Sequence, residues 1–386
     1  MKKFIALAFF FILLACGLAS QEKIDRRVEN GIEVVNNHLE PYKVKGEPST
    51  LVLERLFSVD TEQDSILKIG LTDIENFDVD PDGNLYLIRW RSDQNYIYKF
   101  DKAGRFISSF LRGGQGPGEI EWGGTVLVMD KNELIAKDPS KQKFLLYDLE
   151  GKYLKEVVLG RYLEFEAILG EAKYLVSWQQ QEPEYFQNYF GISGSDFKDV
   201  KELGSMRWPN PRVSPQVKAM TYVFVATATR DRIFVGDALK GYEICVYDLN
   251  GTLIRKIRKG FKALKVPNDI KRNYEKPLSN PYAEAIRKKT VFPDHMPPFR
   301  YFFTDDEGRL YVMTWEKSKV QGEYVYDIYN SQGLFVGRTS LRNYNNEGPF
   351  SREVEMSVKV RNGRLYELTA QESGYRELVV YKMVWK

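Results

Sequence analysis

Three features of the sequence predict an all-β fold, a six-bladed β-propeller closed by an N-terminal strand that completes the last blade. A polar turn followed by a short apolar strand recurs six times. An aromatic strand of period two, ending in a turn with Gly, recurs four times. A strand near the N-terminus has no local partner, while the last repeat is one strand short.

The first unit reads DPDGNLYLIRW (80–90), DKNELIAKD (130–138), GEAKYLVSW (170–178), TRDRIFVGD (229–237), DEGRLYVMTW (306–315) and RNGRLYELTA (361–370), with its aliphatic anchor at Leu85, Leu134, Leu175, Ile233, Leu310 and Leu365. The spacing fits the ~40–50-residue period of propeller blades once insertions are allowed. The second unit reads YIYKFDKAGRFISSF (96–110), FLLYDLEGKYLKEVVL (144–159), YEICVYDLNGTLIRKI (242–257) and YVYDIYNSQGLFVGRT (324–339). Gly104, Gly151, Gly251 and Gly333 supply the positive φ of its turn. Residues 186–203 read as a degenerate copy. A short strand precedes each first unit, so four antiparallel strands form each repeat, the blade of a propeller. The last repeat offers three strands and the chain stops, whereas TLVLERLFSV (50–59) is unpaired. Pairing the two seals the ring and removes an exposed edge.

Composition agrees. Aromatics reach 14 %, including 24 Tyr and 23 Phe, which favours strands, and 28 % charged residues with 43 % hydrophobic ones exclude a disordered chain. Taking Lys2 and Lys3 from the 56 basic residues leaves 54 against 53 acidic ones, no electrostatic footprint for nucleic acid. The two histidines, His38 and His295, are too few for His-rich metal sites or His-based nucleophile machinery.

The N-terminus carries an address. Lys2 and Lys3 precede an apolar run, Phe4 to Ala15, too short to span a bilayer. Small residues then surround Cys16 in LLACG (13–17), which resembles the bacterial lipobox, where the cysteine is acylated and the leader removed. Leu14 departs from the small residue favoured there. The plain alternative is an ordinary secretory signal cleaved near Ala19. The reading is a signal peptide at 1–15, a lipid anchor and tether at 16–49, and the propeller at 50–386, exported and held at the cell envelope, on the periplasmic or outer surface. With Cys16 lipidated, Cys245 has no partner for an intramolecular disulfide.

From about Arg27 to the end the chain resembles bacterial six-bladed propeller lipoproteins related to NHL-repeat proteins. The carriers are VENGIEVVNN (28–37), DVDPDGNLYLI (78–88), IYKFDKAGRFI (97–107) with GGQGPGEI (113–120), and PDHMPPF (293–299) before DDEGRLYV (305–312). The resemblance implies a binding or scaffolding role more than a reaction, and no cofactor.

Several motifs invite chemistry. Asp78-Val79-Asp80-Pro81-Asp82-Gly83 opens like a calcium loop, but Arg89 stands where a bidentate Glu belongs and Tyr86 where another Asp would. Turn chemistry explains it better. Residues 112–119 (RGGQGPGE) lack the Lys-Ser/Thr tail of a phosphate loop and precede a strand. Cys245 reads as a small buried hydrophobe.

The leading function is a propeller acting as a ligand-binding or protein-interaction module. An envelope protein or a carbohydrate suits its Tyr-rich rims. Glu75, Glu166, Arg300 and Glu355, each at or beside an innermost strand, are the candidate funnel residues. The alternative is a calcium-dependent lactonase or esterase, for which Glu75, Asn76 and Glu166 are the available donors. An insertion at 258–300, between blades 4 and 5, joins a basic cluster (Arg255, Lys256, Arg258, Lys259, Lys262, Lys265) to a helix over Tyr282–Lys289 and a Pro-rich exit. It is expected to gate the funnel or to meet an acidic partner.

Overall fold

A computed structural model describes residues 24–89, 95–121, 126–128, 133–138, 141–170, 172–342 and 358–386. Six antiparallel four-stranded units surround a central channel. Blade 1 comprises Asn76–Val79, Leu85–Ile88, Asn95–Phe100 and Phe106–Arg112; blade 2 comprises Val126–Val128, Glu133–Asp138, Lys143–Asp148 and Tyr153–Val158. Blade 3 is longer: Glu164–Ile168, Lys173–Gln181, Tyr185–Gly194 and Val200–Pro209. Blade 4 holds Phe224–Ala228, Ile233–Asp237, Glu243–Tyr247 and Leu253–Lys259, and blade 5 holds Tyr301–Thr304, Leu310–Lys317, Glu323–Tyr329 and Phe335–Arg342. Blade 6 takes Val358–Arg361, Arg364–Ala370 and Arg376–Trp385 from the end of the chain and its outer strand, Leu51–Asp60, from the start. This is the closure the unpaired N-terminal strand predicts.

The turns explain the repeat. Between third and fourth strands, Asp101, Asp148, Asp248 and Asn330 each accept the backbone N–H groups two and four residues on. Such side-chain capping favours Asp and Asn at the turn. Gly151 follows at φ 87°, and a Cβ there would lie 2.4 Å from the Phe110 ring. Blade 3 looks degenerate because its turn places Phe197 at φ 53° where the others use Gly. Phe197 compensates by burying its ring against Phe144, Phe165 and Tyr174, at centroid distances of 4.9, 5.3 and 5.0 Å.

The expected tether is corrected by its own strands. From Asp25 onward the segment is folded: Asp25–Glu29 and Ile32–Asn37 make a hairpin around Asn30-Gly31, and the second strand pairs in parallel with the outer strand of blade 4. Val34 and Val35 are fully buried, which is what draws the strand onto the edge. The chain then crosses blade 5. Asn37 donates to the Gly333 carbonyl at 3.0 Å and accepts from Phe335 N–H at 2.8 Å, and Tyr42 N–H donates to the Phe335 carbonyl at 2.7 Å. Residues 25–50 are thus a strap over blades 4 and 5 that ends in the closing strand.

Residues 210–223 and 260–300, both leading from a fourth strand to the next first strand, build a cap on one face. Val217–Lys218 pairs in parallel with Thr290–Val291, and Ala219, Met220, Val266 and Met296 form a small core with Phe292 and Trp315. The helix expected over Tyr282–Lys289 spans Pro281–Lys289, with the Asn280 side chain accepting from Tyr282 and Ala283 N–H. Among the described residues, no helix is long and apolar enough to cross a membrane.

Candidate functional site

First strands of neighbouring blades line the channel, all running the same way. Their starts therefore mark one mouth and their ends the other. At the latter mouth lies a cavity of about 620 Å³, bounded by first strands and turns of blades 1, 3, 4, 5 and 6. Alternation along these strands sends Phe77 and Val79 into the core and leaves the intervening Asp78 for the channel wall.

The cavity wall is charged and largely paired. Lys359 Nζ donates to Asp78 Oδ1 at 2.7 Å, joining blade 6 to blade 1, and Arg361 donates to the Val79 carbonyl at 3.0 Å. Glu166 accepts from the Ser177 hydroxyl and lies in the field of the buried Lys137 ammonium, which is bonded to Glu164. Burial pushes the Lys137 pKa down against the pull of Glu164. Arg230 adds an exposed guanidinium at the rim, and Arg232 donates to the Ser331 carbonyl. The wall is therefore a mixed set of cations and carboxylates that suits a polar ligand more than an apolar one.

The two Asp-rich turns at this mouth are structural. Asp80 accepts from Asp82 N–H, Asn84 N–H, the Asn84 side chain and Tyr86 hydroxyl. Asp305 accepts from Glu307 N–H, Arg309 N–H, the Arg309 side chain and Tyr311 hydroxyl. Tyr86 and Tyr311 thus stand at equivalent positions of the two turns as hydrogen-bond donors to the aspartate. Burial raises the Asp305 pKa despite these donors.

Among the candidate funnel residues, the structure brings Glu166 alone into the cavity. Glu75 and Arg300 precede the first strands of blades 1 and 5 and so stand at the opposite mouth. The Arg300 guanidinium lies over the rings of Trp315 and Tyr324, at 5.1 and 5.9 Å. Glu355 and Cys16 lie outside the described residues. Sequence reasoning missed Lys359, Arg361, Arg230 and Arg232. Their one sequence signal is position: each stands on, or just after, the end of a first strand.

A calcium centre does not fit. Asn76 Oδ1 accepts from Phe77 N–H, Glu166 is engaged by Ser177, and no group of three His, Cys, Asp or Glu among the described residues is placed to hold a metal. Cys245 lies within a strand of blade 4, and burial raises its thiol pKa.

The basic cluster is largely consumed by the chain itself. Arg255 pairs with Glu33 at 2.6 Å, Arg258 with Glu29 at 2.9 Å and Glu243 at 2.6 Å, Lys256 with Glu243 at 3.3 Å, and Lys259 with Asp327 at 3.0 Å. Glu29 and Glu33 belong to the N-terminal hairpin. The cap stands over the mouth opposite the cavity.

Two comparisons with known proteins bear on the architecture. A family described as a 6-bladed beta-propeller matches residues 63–214. A member of the DUF4221 family from Bacteroides vulgatus has a similar fold, with TM-score 0.53, 12 % identity, and 88 % of this chain and 100 % of that one covered. A candidate exported protein from Bacteroides fragilis aligns with TM-score 0.48 and 13 % identity over 91 % of this chain and 99 % of that one. Virginiamycin B lyase from Staphylococcus aureus aligns with TM-score 0.42 and 10 % identity over 87 % and 100 %. No curated protein matches.

Proposed function

Starting from a chain that is a six-bladed β-propeller, similar over residues 63–214 to the family so described, we propose that it is a binding module held at the cell envelope through Cys16. Its channel cavity receives a polar ligand or the polar tip of a partner protein. The observation that carries the reading is the cavity itself: about 620 Å³, reached from one mouth, with side chains of both signs converging from five blades. That is the size and kind of concavity that holds small ligands. Envelope anchoring is supported by the short apolar leader ending in LLACG (13–17) and by the stability that several acyl chains give to membrane attachment.

Two experiments test the halves separately. Cys16→Ser is expected to release the protein from membranes and to abolish labelling by a fatty-acid analogue; unchanged partitioning would defeat the anchor. For the cavity, a thermal-shift screen against charged and zwitterionic small molecules should give stabilising hits that Lys359→Ala and Arg230→Ala weaken. Hits indifferent to both substitutions would place binding elsewhere.

A further inference from the structure

Blade 3 carries a second feature, independent of the channel reading and on the opposite face of the propeller. Its second strand, Lys173–Gln181, has nine residues where the equivalent strand of blade 2 has six. At ~3.3 Å per residue it overhangs by about 10 Å. One face of the overhang is covered: Phe186 and Trp208 pack with their rings 4.7 Å apart, and Tyr222 from the cap lies 6.3 Å from Trp208. Among the described residues, the other face, toward blade 2, has no such cover beyond Trp178. A bare sheet face is ordinarily charged and mixed. This one is aromatic and amide-rich.

Register defines what stands on it. Trp178 is opposite Tyr189, which is opposite Ser205; one row outward, Gln180 is opposite Gln187, which is opposite Arg207. Tyr185 lies beyond them on the same face. The Trp178 and Tyr189 rings are parallel, 4.8 Å apart with 2° between their planes, and the Arg161 guanidinium lies 4.9 Å from the Trp178 ring. The Arg207 guanidinium sits 4.5 Å from the Tyr185 ring. The polar groups are held in fixed orientation by one another: Arg207 donates to Gln187 at 3.0 Å, Gln187 to Ser205 at 3.1 Å, and Tyr189 to Gln180 at 2.8 Å. Gln180 and Arg207 are exposed, and Tyr185, Gln187 and Tyr189 are half-buried.

We infer that this face is a carbohydrate-binding platform for a neutral oligosaccharide. The half-buried Tyr185 and Tyr189 rings, and not the buried Trp178 beneath them, offer C–H contact to a pyranose, and planar amide and guanidinium edges match vicinal hydroxyls, which both donate and accept. A protein interface shares the aromatic and Arg enrichment but has an apolar centre, whereas the outer row here, Gln180, Gln187 and Arg207, is polar throughout. The immobilised side chains also reduce the ordering cost of binding.

Affinity electrophoresis of the full chain through gels cast with xylan, starch, mixed-linkage β-glucan or mucin tests the assignment. At least one of these polymers should retard the native protein. Gln187→Ala with Arg207→Ala, both on the overhang and away from the core, should weaken the retardation at least tenfold with an unchanged melting temperature. Tyr185→Ala should weaken it as well, and Tyr185→Phe should keep it. Arg230→Ala, in the channel, should leave it unchanged, which separates this platform from the cavity. Absence of retardation in all four gels, retardation that survives the double substitution, or a dimer in sedimentation that the double substitution dissolves would overturn the assignment.

Discussion

Blade 5 is flanked by two seams that bury a carboxylate in opposite circumstances. Adjacent residues of its third strand, Tyr326 and Asp327, point to opposite faces. Toward blade 4, Asp327 is fully buried and fully engaged: Lys259 donates at 3.0 Å, the Tyr242 hydroxyl at 2.9 Å and Arg338 at 2.9 Å. Toward blade 6, the Tyr326 hydroxyl is buried with no hydrogen-bond partner among the described residues, and so is Oε1 of Glu367, a residue only 3 % exposed. Burial pushes the Glu367 pKa up to about 8, more than the Arg342 charge and the Tyr381 hydroxyl pull it down. One seam meets its carboxylate with three donors; at the other, burial outweighs the Arg342 charge and the Tyr381 hydroxyl.

The largest test breaks the engaged seam. Asp327→Ala strands the Lys259 ammonium, 2 % exposed, and removing one partner of a buried pair costs about 3–5 kcal/mol. Urea denaturation at pH 7 should show a loss of that size. A loss below about 1 kcal/mol would mean that water reaches Lys259 and the seam is not dry.

The second test sharpens the contrast. The folded value of Glu367 lies above its ordinary 4.5, so folded protein keeps a proton that the unfolded chain sheds between about pH 4.5 and 8. Its contribution is full below 4.5 and is lost as pH rises through 8. The linkage slope for one proton is about 1.4 kcal/mol per pH unit, so Glu367→Gln should gain on the parent by up to that slope between pH 4.5 and 8. Parallel stability curves for the two proteins over that range would show that Glu367 ionises freely.

The smallest effect belongs to the strap. Glu33→Gln removes partly exposed pairs with Arg26 and Arg255, and such pairs contribute about 0–1 kcal/mol. A loss under 1 kcal/mol, shrinking further in high salt, is expected; a loss near that of Asp327→Ala would make the strap part of the seam.

What was legible in the sequence was local. Asp-x-x-Gly turns and period-2 strands mark each blade because one turn needs its own residues. Closure was legible by subtraction, since Leu51–Asp60 had a hydrophobic pattern and no neighbour. The hairpin at 25–37 was read as tether because a parallel pairing with Leu253–Lys259, more than 200 positions away, leaves no trace in either segment. The same distance hid the true partners of the basic cluster. Depth along the channel is equally hidden: Glu75 and Arg300 precede first strands and Glu166 lies within one, but only the course of each strand decides which mouth each serves. The blade 3 platform escaped because Trp178, Tyr189 and Arg207 each look like ordinary strand residues until three strands align them.

The strap also decides how the molecule carries load. Tension applied upstream of Asp25 first unzips the hairpin between Asp25–Glu29 and Ile32–Asn37. It then shears the five parallel pairs that join Glu33–Asn37 to Arg255–Lys259. The Asn37 and Tyr42 contacts to blade 5 stand next in line, before Leu51–Asp60, the strand that locks the ring. The N-terminal clip is therefore a mechanical fuse.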